Sequence, residues 1–259
     1  MKNLLFLAMT AAVSVTPLSS TIAAANDTRC FELRIYHAAP GKLDDLNARF
    51  RDHTTKLFEK HGMQNIGYWV PLDPADQRLI YILAYPDRAA RDKSWKAFTS
   101  DPEWKAAAAK SEANGKLVSK AESSFLEATD YSPAIKPDIS KDPRVFELRT
   151  YTASSGNLGA LHSRFRDHTV QLFTKHGMGQ FGYWSPAKGE KNADDTLRYI
   201  LFHKSKEAAE ASFKTFRADP EWIKAKEASE KKAGGPLTEG GMDGVKSVFL
   251  KATDYSPTK

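Results

Sequence analysis

The sequence of 259 residues contains a single cysteine, Cys30, so a disulfide within the chain is impossible and stability must come from packing. It also lacks a phosphate loop, a G-x-S-x-G elbow and an H-E-x-x-H zinc motif. These absences remove common nucleotide-dependent and hydrolytic chemistry from the leading function classes. His53 and His61 are too far apart in sequence to stack as ligands on one helix face, so no metal site is expected.

Long apolar runs are also scarce. The longest runs from Leu4 to Val15, which is short of the ~20 residues that a membrane-spanning helix needs. Lys2 precedes this run and Ala23-Ala24-Ala25 follows it, which is typical of a secretory signal. We expect residues 1–25 to be a signal peptide, cleaved near Ala25, and the mature chain to be secreted or periplasmic.

The charge is modest, with a formal net value of +6 at pH 7. Basic residues are scattered among acidic ones rather than gathered into one stripe, so no nucleic-acid partner is expected. The lysine-rich stretches 104–120 and 222–232 have a helical composition and are interpreted as solvated helix faces.

What the sequence does contain is an internal repeat. Residues 31–70 align without a gap to residues 146–185, with 24 of 40 positions identical. Two copies of this length indicate two fused domains rather than a solenoid. The predicted organisation is a first domain over 26–131, a linker over 132–144 and a second domain over 145–259.

Each copy is predicted to have the element order β-α-β-β-α-β, which is the ferredoxin-like split unit of an α+β protein. In the first copy the strands are expected near 30–36, 65–70, 79–85 and 123–129, with helices near 43–60, 88–99 and from Pro102 onwards. The face of each antiparallel sheet that has no helices must be buried, and the two copies can bury these faces against each other. We therefore predict an intramolecular pseudo-dimeric α+β barrel with its helices outside.

The two copies share a set of short motifs, namely F-E-L-R-x-Y, R-F-R-D-H-T, K-H-G-M, G-Y-W and D-P-E-W. In combination these motifs resemble the NIPSNAP family of the dimeric α+β barrel superfamily, over nearly all of both copies. The resemblance implies a fold more than a reaction. Relatives by fold include cofactor-independent monooxygenases and haem-binding or haem-degrading proteins, and fold analogy alone does not choose among them.

The candidate catalytic residues are His53 and His168. At 100° per residue, His53 falls on the apolar arc of its helix with Leu46, Phe50 and Leu57, so it is predicted to point inward. Such a histidine is either a hydrogen-bonded core residue or a pocket residue able to act as acid, base or ligand.

Two arginines in the same motif, Arg49 and Arg164, lie at the edge of the inward face. Each could bind a carboxylate or phosphate of a ligand, or form a structural ion pair. Arg51 and Asp52 fall outside the apolar arc and are expected to contact loops or the other copy.

The first strand of each copy alternates apolar and charged residues. If the apolar face meets the helices, Glu32 and Arg34, with their counterparts Glu147 and Arg149, point into the barrel. Charges in that position would have to pair with one another.

The remaining ligand-binding candidates are aromatic. In G-Y-W the tyrosine and tryptophan must lie on opposite faces of the strand, and one of them should back a cleft between helix and sheet. They are either core residues or pocket walls. The candidates are Tyr68, Trp69, Tyr81, Tyr183, Trp184 and Tyr199.

The predicted function is binding of a small apolar or aromatic molecule in a similar pocket of each copy, with no cofactor. In an enzymatic version, a cofactor-independent monooxygenase, the histidine would take a proton from a phenolic substrate. The alternatives are a non-catalytic module that binds haem, another apolar ligand or a protein, and a structural scaffold. Whether the chain is an enzyme, and whether it oligomerises further, stays open.

Overall fold

The computed structural model describes residues 27–140, 142–241 and 244–259. The predicted signal peptide lies outside these residues. Within them, the element order is β-α-β-β-α-β twice. The first unit comprises β1 Cys30–Ala38, α1 Leu43–Arg49, α2 Thr55–Lys60, β2 Gln64–Pro71, β3 Arg78–Tyr85, α3 Arg88–Ser100, α4 Pro102–Ser111 and β4 Val118–Ala128. The second comprises β5 Val145–Thr152, α5 Leu158–Arg164, α6 Val170–Lys175, β6 Gly179–Pro186, β7 Thr196–His203, α7 Lys206–Ala218, α8 Pro220–Ala233 and β8 Lys246–Ala252.

The eight strands form one closed antiparallel barrel in the order β1-β3-β2-β8-β5-β7-β6-β4. Within each unit the strands keep the ferredoxin-like order, and the units join where β2 pairs with β8 and β4 pairs with β6. The predicted pseudo-dimeric α+β barrel is therefore confirmed. No helix in the described ranges is long and apolar enough to cross a membrane.

The barrel interior is apolar, and this corrects the prediction for the charged strand residues. Phe31 and Leu33 face the interior, where they join Trp69 and Trp184. The alternation along β1 is as predicted, but the assignment of its faces was wrong. Glu32 and Arg34, with Glu147 and Arg149 in the second unit, lie on the helix side, and each pair is bonded within its own unit. Both faces of the strand are buried, and on the helix side the Glu32 carboxylate accepts hydrogen bonds from Arg91 and Trp95 of α3.

The inward prediction for His53 and His168 was also wrong, because the first helix of each unit contains a π-helical turn. In the first unit this turn spans Phe50–Thr54, and the Thr55 amide donates to the Phe50 carbonyl five residues earlier. The additional residue rotates the following helix by about 100°. Thr54 consequently faces inward, and His53 is exposed. The turn at Phe165–Thr169 exposes His168 in the same way.

The G-Y-W motif places its two aromatics on opposite faces, as predicted. Tyr68 packs under the helices and Trp69 packs inside the barrel. A β-bulge precedes Tyr68, and the Trp69 ring folds over Gly67 so closely that a Cβ there would lie 2.2 Å from the ring. Glycine is therefore required at this position for lack of space, and Gly182 under Trp184 repeats the arrangement.

The segment that follows the last strand of each unit packs onto the first helix of the other unit. Tyr255 contacts Phe50 with ring centroids 6.4 Å apart, and Asp254 accepts two hydrogen bonds from Arg51 at 2.5 and 2.8 Å. Arg51 thus contacts the other copy, as expected. Equivalent contacts reach the first helix of the second unit, where Tyr131 packs on Phe165 and Asp130 accepts from Arg166.

Candidate functional site

A largely enclosed pocket of about 90 Å³ lies between the helices and the sheet of the second unit. Six aromatic side chains line it. They are Tyr151, Phe165, Phe173, Phe213, Phe216 and Trp222. Arg164, Lys226 and Glu230 bring charge to the remaining wall. The site therefore combines a compact apolar chamber with a polar side.

Local sequence signals place these groups. Asp219 caps the start of α8 by accepting from the Glu221 amide at 2.8 Å, and Pro220 occupies the first turn. Asp219 also accepts from His176 at 2.8 Å, which ties α8 to the end of α6. The cap fixes Trp222 against Phe216, with ring centroids 4.5 Å apart. The D-P-E-W motif is thus a helix start that holds one pocket wall.

Arg164 is the most unusual group in the wall. Its side chain is 5% exposed, and its guanidinium carbon lies 5.2 Å from the Trp222 ring centroid. Its only side-chain partner among the described residues is Glu230, at 3.4 Å, and Nε has no partner there. Burial lowers the pKa of Arg164 below its ordinary value. A buried cation with one long hydrogen bond therefore borders the pocket.

A second polar group lies beneath the aromatic wall. Glu147 accepts from Arg149 at 2.5 Å, from Ser247 at 2.5 Å and from His203 at 3.2 Å. Burial alone would raise the pKa of Glu147, but these hydrogen bonds and the Arg149 charge lower it overall. The Arg149 guanidinium carbon lies 4.4 Å from the Phe213 ring centroid, so this network supports the pocket wall from below.

His203 was not found by sequence reasoning. Its side chain is 1% exposed, and its Nδ1 has no hydrogen-bond partner in the described part of the chain. The aligned residue in the first unit is Tyr85, which donates to Glu32 at 3.0 Å. A position-by-position comparison of the two copies at this strand end would have revealed the exchange.

The first unit is built differently at the same place. Trp95 occupies the position of Phe213, and its indole nitrogen donates to Tyr85 at 2.8 Å and to Glu32 at 3.1 Å. Arg49, the counterpart of Arg164, bonds Glu112 at 2.9 Å. At this place the first unit thus has the larger indole and the shorter ion pair.

The structure does not bring most predicted site residues together in this pocket. Tyr68 and Tyr81 stack with ring centroids 5.3 Å apart under the helices of the first unit, and Tyr183 and Tyr199 do so at 5.2 Å in the second. Burial raises the pKa of all four phenols well above the ordinary value. Trp69 and Trp184 lie in the barrel. Of the predicted set, only Arg164 lines the pocket.

The two predicted catalytic histidines line open surface grooves. The grooves have volumes of about 410 Å³ each and run between the first helix of the unit and α4 or α8. Arg164 borders both the groove of His168 and the enclosed pocket.

The geometry supports neither a metal cluster nor a dinucleotide site in the described residues. Within residues 27–140, 142–241 and 244–259 there is no cluster of three or more His, Cys, Asp or Glu side chains able to hold a metal ion. Gly177, Gly179 and Gly182 form a G-x-G-x-x-G pattern, but this segment leaves a helix and enters β6. Dinucleotide sites need the reverse order, from strand to helix.

A closed barrel built from two ferredoxin-like units, with helices outside, defines an α+β barrel of the dimeric type. The family model of NIPSNAP matches residues 31–133 and 146–257. The chain therefore belongs to the NIPSNAP family, with two family domains in tandem.

Solved structures share the fold of the whole chain at low identity. A proposed monooxygenase from Lactobacillus acidophilus is 12% identical with a TM-score of 0.54, covering 87% of this chain and 94% of its own. A proposed monooxygenase from Fusobacterium nucleatum is 11% identical with a TM-score of 0.53, covering 87% and 92%. An anthrone oxidase-like protein is 11% identical with a TM-score of 0.56, covering 90% and 95%. No curated protein matches the sequence.

Proposed function

We propose that this chain binds a small organic molecule in the helix–sheet pocket of its second unit. The observation that carries the proposal is an enclosed chamber walled by six aromatic side chains, with a buried and weakly paired arginine at its edge. Aromatic walls with a few placed polar groups are the usual composition of small-molecule sites. The proposal replaces the expectation of two similar pockets with one site per chain.

The size of the chamber limits the ligand. An apolar cavity of about 150 Å³ holds benzene, so a chamber of about 90 Å³ holds a few carbon atoms, or one ring if a wall side chain moves outward. Haem does not fit, since even drug-sized ligands occupy about 300 to 1,000 Å³. The part of the ligand that enters the chamber is thus no larger than one aromatic ring, and we propose that its binding requires no cofactor.

A second candidate is oxidation of a phenol of that size by a cofactor-independent route. The observation that favours it is the Arg164 cation beside the aromatic chamber, because a nearby cation stabilises a phenolate, which is the form that reacts with oxygen. Oxygen consumption by the purified protein with phenol tests this candidate. If oxygen consumption does not exceed that of the protein-free solution, the protein binds the phenol without oxidising it.

We also propose that the chain is exported. Lys2, the apolar run from Leu4 and the small residues to Ala25 support a cleaved signal. N-terminal sequencing of the protein from a native host would show a start near Asn26. A start at Met1 in the cytoplasm would contradict export.

Saturation-transfer NMR with phenol, benzyl alcohol, benzamide and benzoate tests the binding site. At least one compound should bind saturably to the wild-type protein, and Phe213→Trp, which copies the first unit, should abolish that binding. The reciprocal variant Trp95→Phe is the control and should retain it. The proposal fails if no compound binds, or if Phe213→Trp binds as the wild type does.

A further inference from the structure

We infer that the ligand of this pocket carries an anionic oxygen group, a carboxylate or a phenolate, which pairs with Arg164. The inference rests on the proposed function, because it names the chemical class of the molecule that the pocket takes. It also assigns a function to Arg164, for which the sequence left ligand binding and a structural ion pair as alternatives.

Arg164 is poorly paired. A guanidinium has five donors, and this one is nine-tenths buried with a single hydrogen bond of 3.4 Å among the described residues. Leaving buried donors of a charged group without acceptors is costly. An acceptor with two oxygens would satisfy the fork of donors that Arg164 presents.

Glu230 is a poor permanent partner for Arg164. Its carboxylate lies 3.4 Å from Arg164 and also 3.9 Å from Lys226, so its hydrogen bond to Arg164 is long and its charge is shared. In the first unit Arg49 is equally buried and its Nε also lacks a partner. There, however, the carboxylate of Glu112 lies at 2.9 Å, and Ser111 adds a contact at 3.4 Å. The second unit has the weaker internal anion.

Arg164 borders both the aromatic chamber and the open groove. Lys232 also lines this groove, so two cationic side chains face the single carboxylate of Asp167. An anionic group can therefore approach through the groove and stay at the guanidinium while the apolar body of the ligand enters the chamber.

The test compares benzoate with benzamide, which has nearly the same shape and no charge. On the wild-type protein at pH 7, benzoate should bind at least ~10-fold more tightly, the difference typical of a charge-assisted hydrogen bond. Arg164→Gln should remove this preference, and Arg164→Lys should keep part of it. Arg49→Gln, the matched change in the first unit, should leave it intact.

The outcomes separate the two proposals. If both compounds bind equally to the wild-type protein, or if Arg164→Gln keeps the preference for benzoate, the anion inference is overturned and the pocket stands. If neither compound binds, and phenol and benzyl alcohol also fail, the proposed function falls and the inference falls with it. The wild-type comparison needs no variant, so poor folding of Arg164→Gln cannot obscure the result.

Discussion

Replacing Glu32 by glutamine should destabilise the protein strongly at neutral pH and hardly at all in strong acid. Glu32 is fully buried and accepts from Arg34 at 2.5 Å, from Ser123 at 2.6 Å and from Arg91 at 2.8 and 3.0 Å. Burial alone would raise the pKa of this carboxyl. The hydrogen bonds and charges of its partners outweigh burial and lower the pKa from its ordinary 4.5 to about 2.

The size of the effect follows from this pKa. At about 1.4 kcal/mol per pH unit, the lowering corresponds to about 3 kcal/mol of stability in the ionised form. Because the folded pKa is depressed, this stability is fully present above pH 4.5 and is lost as the pH falls towards 2. Glutamine carries no charge at any pH, so the difference between wild type and Glu32→Gln isolates this one group.

The assay is equilibrium unfolding by urea at a series of pH values from 7 to 2.5. The difference in unfolding free energy should be about 3 kcal/mol at pH 7 and should shrink by about 1.4 kcal/mol per pH unit below 4.5. Glu147→Gln is the matched variant, and its smaller set of charged partners should give a smaller difference at pH 7. A difference for Glu32→Gln that is below about 1 kcal/mol at pH 7, or independent of pH, would refute the reasoning.

Three further predictions concern other features of the fold. Gly67→Ala should cost about 2 kcal/mol or more in the free energy of urea unfolding, because its Cβ would overlap the Trp69 ring; an unchanged midpoint would contradict this. A double-mutant cycle on Arg51 and Asp254, read by thermal unfolding, should give a coupling below about 1 kcal/mol because both side chains are exposed, and a larger value would be contrary evidence. Burial, followed by the Arg166 charge, lowers the pKa of His162. The wild type should therefore lose stability relative to His162→Asn as the pH falls below 6.5, and parallel profiles of unfolding free energy against pH for the two proteins would exclude this.

Much of the architecture could be predicted because its signals are local or repeated. The internal repeat and the period-two strands led to the pseudo-dimeric barrel, and the helix predicted from Pro102 onwards begins there in the structure, capped by Asp101. The opposite faces of Tyr68 and Trp69 followed from strand geometry alone.

The failures have two physical origins, which are a local change in helical periodicity and a strand that is buried on both faces. A helical wheel assumes 100° per residue, and the π-helical turn at Phe50–Thr54 breaks that assumption for His53. Alternation along β1 separates Glu32 from Phe31, but both faces of the strand are buried, so alternation cannot identify the barrel side. Which face of β1 lies against the helices depends on the hydrogen-bond partners that the helices offer to Glu32.

The candidate site was the least predictable part. Arg164 was selected because it lies at the edge of the inward face, and its weak pairing depends on the distance to Glu230, which no sequence pattern encodes. The difference between the units at this place rests on the exchange of Trp95 for Phe213 and on how each side chain packs. Aligned residues of the two copies could have indicated where the units differ, but not which of them leaves a cavity.

The central claim is that a small molecule binds in the second unit and that Arg164 holds its charge. The most direct test is a benzoate titration followed by the NMR signals of the five tryptophan indole N–H groups, assigned with single Trp→Phe variants. The account predicts a saturable shift of the Trp222 signal, absent in Arg164→Gln, with no comparable shift of its first-unit counterpart, Trp104. Equal shifts of both signals, or no saturable shift of Trp222, would contradict it.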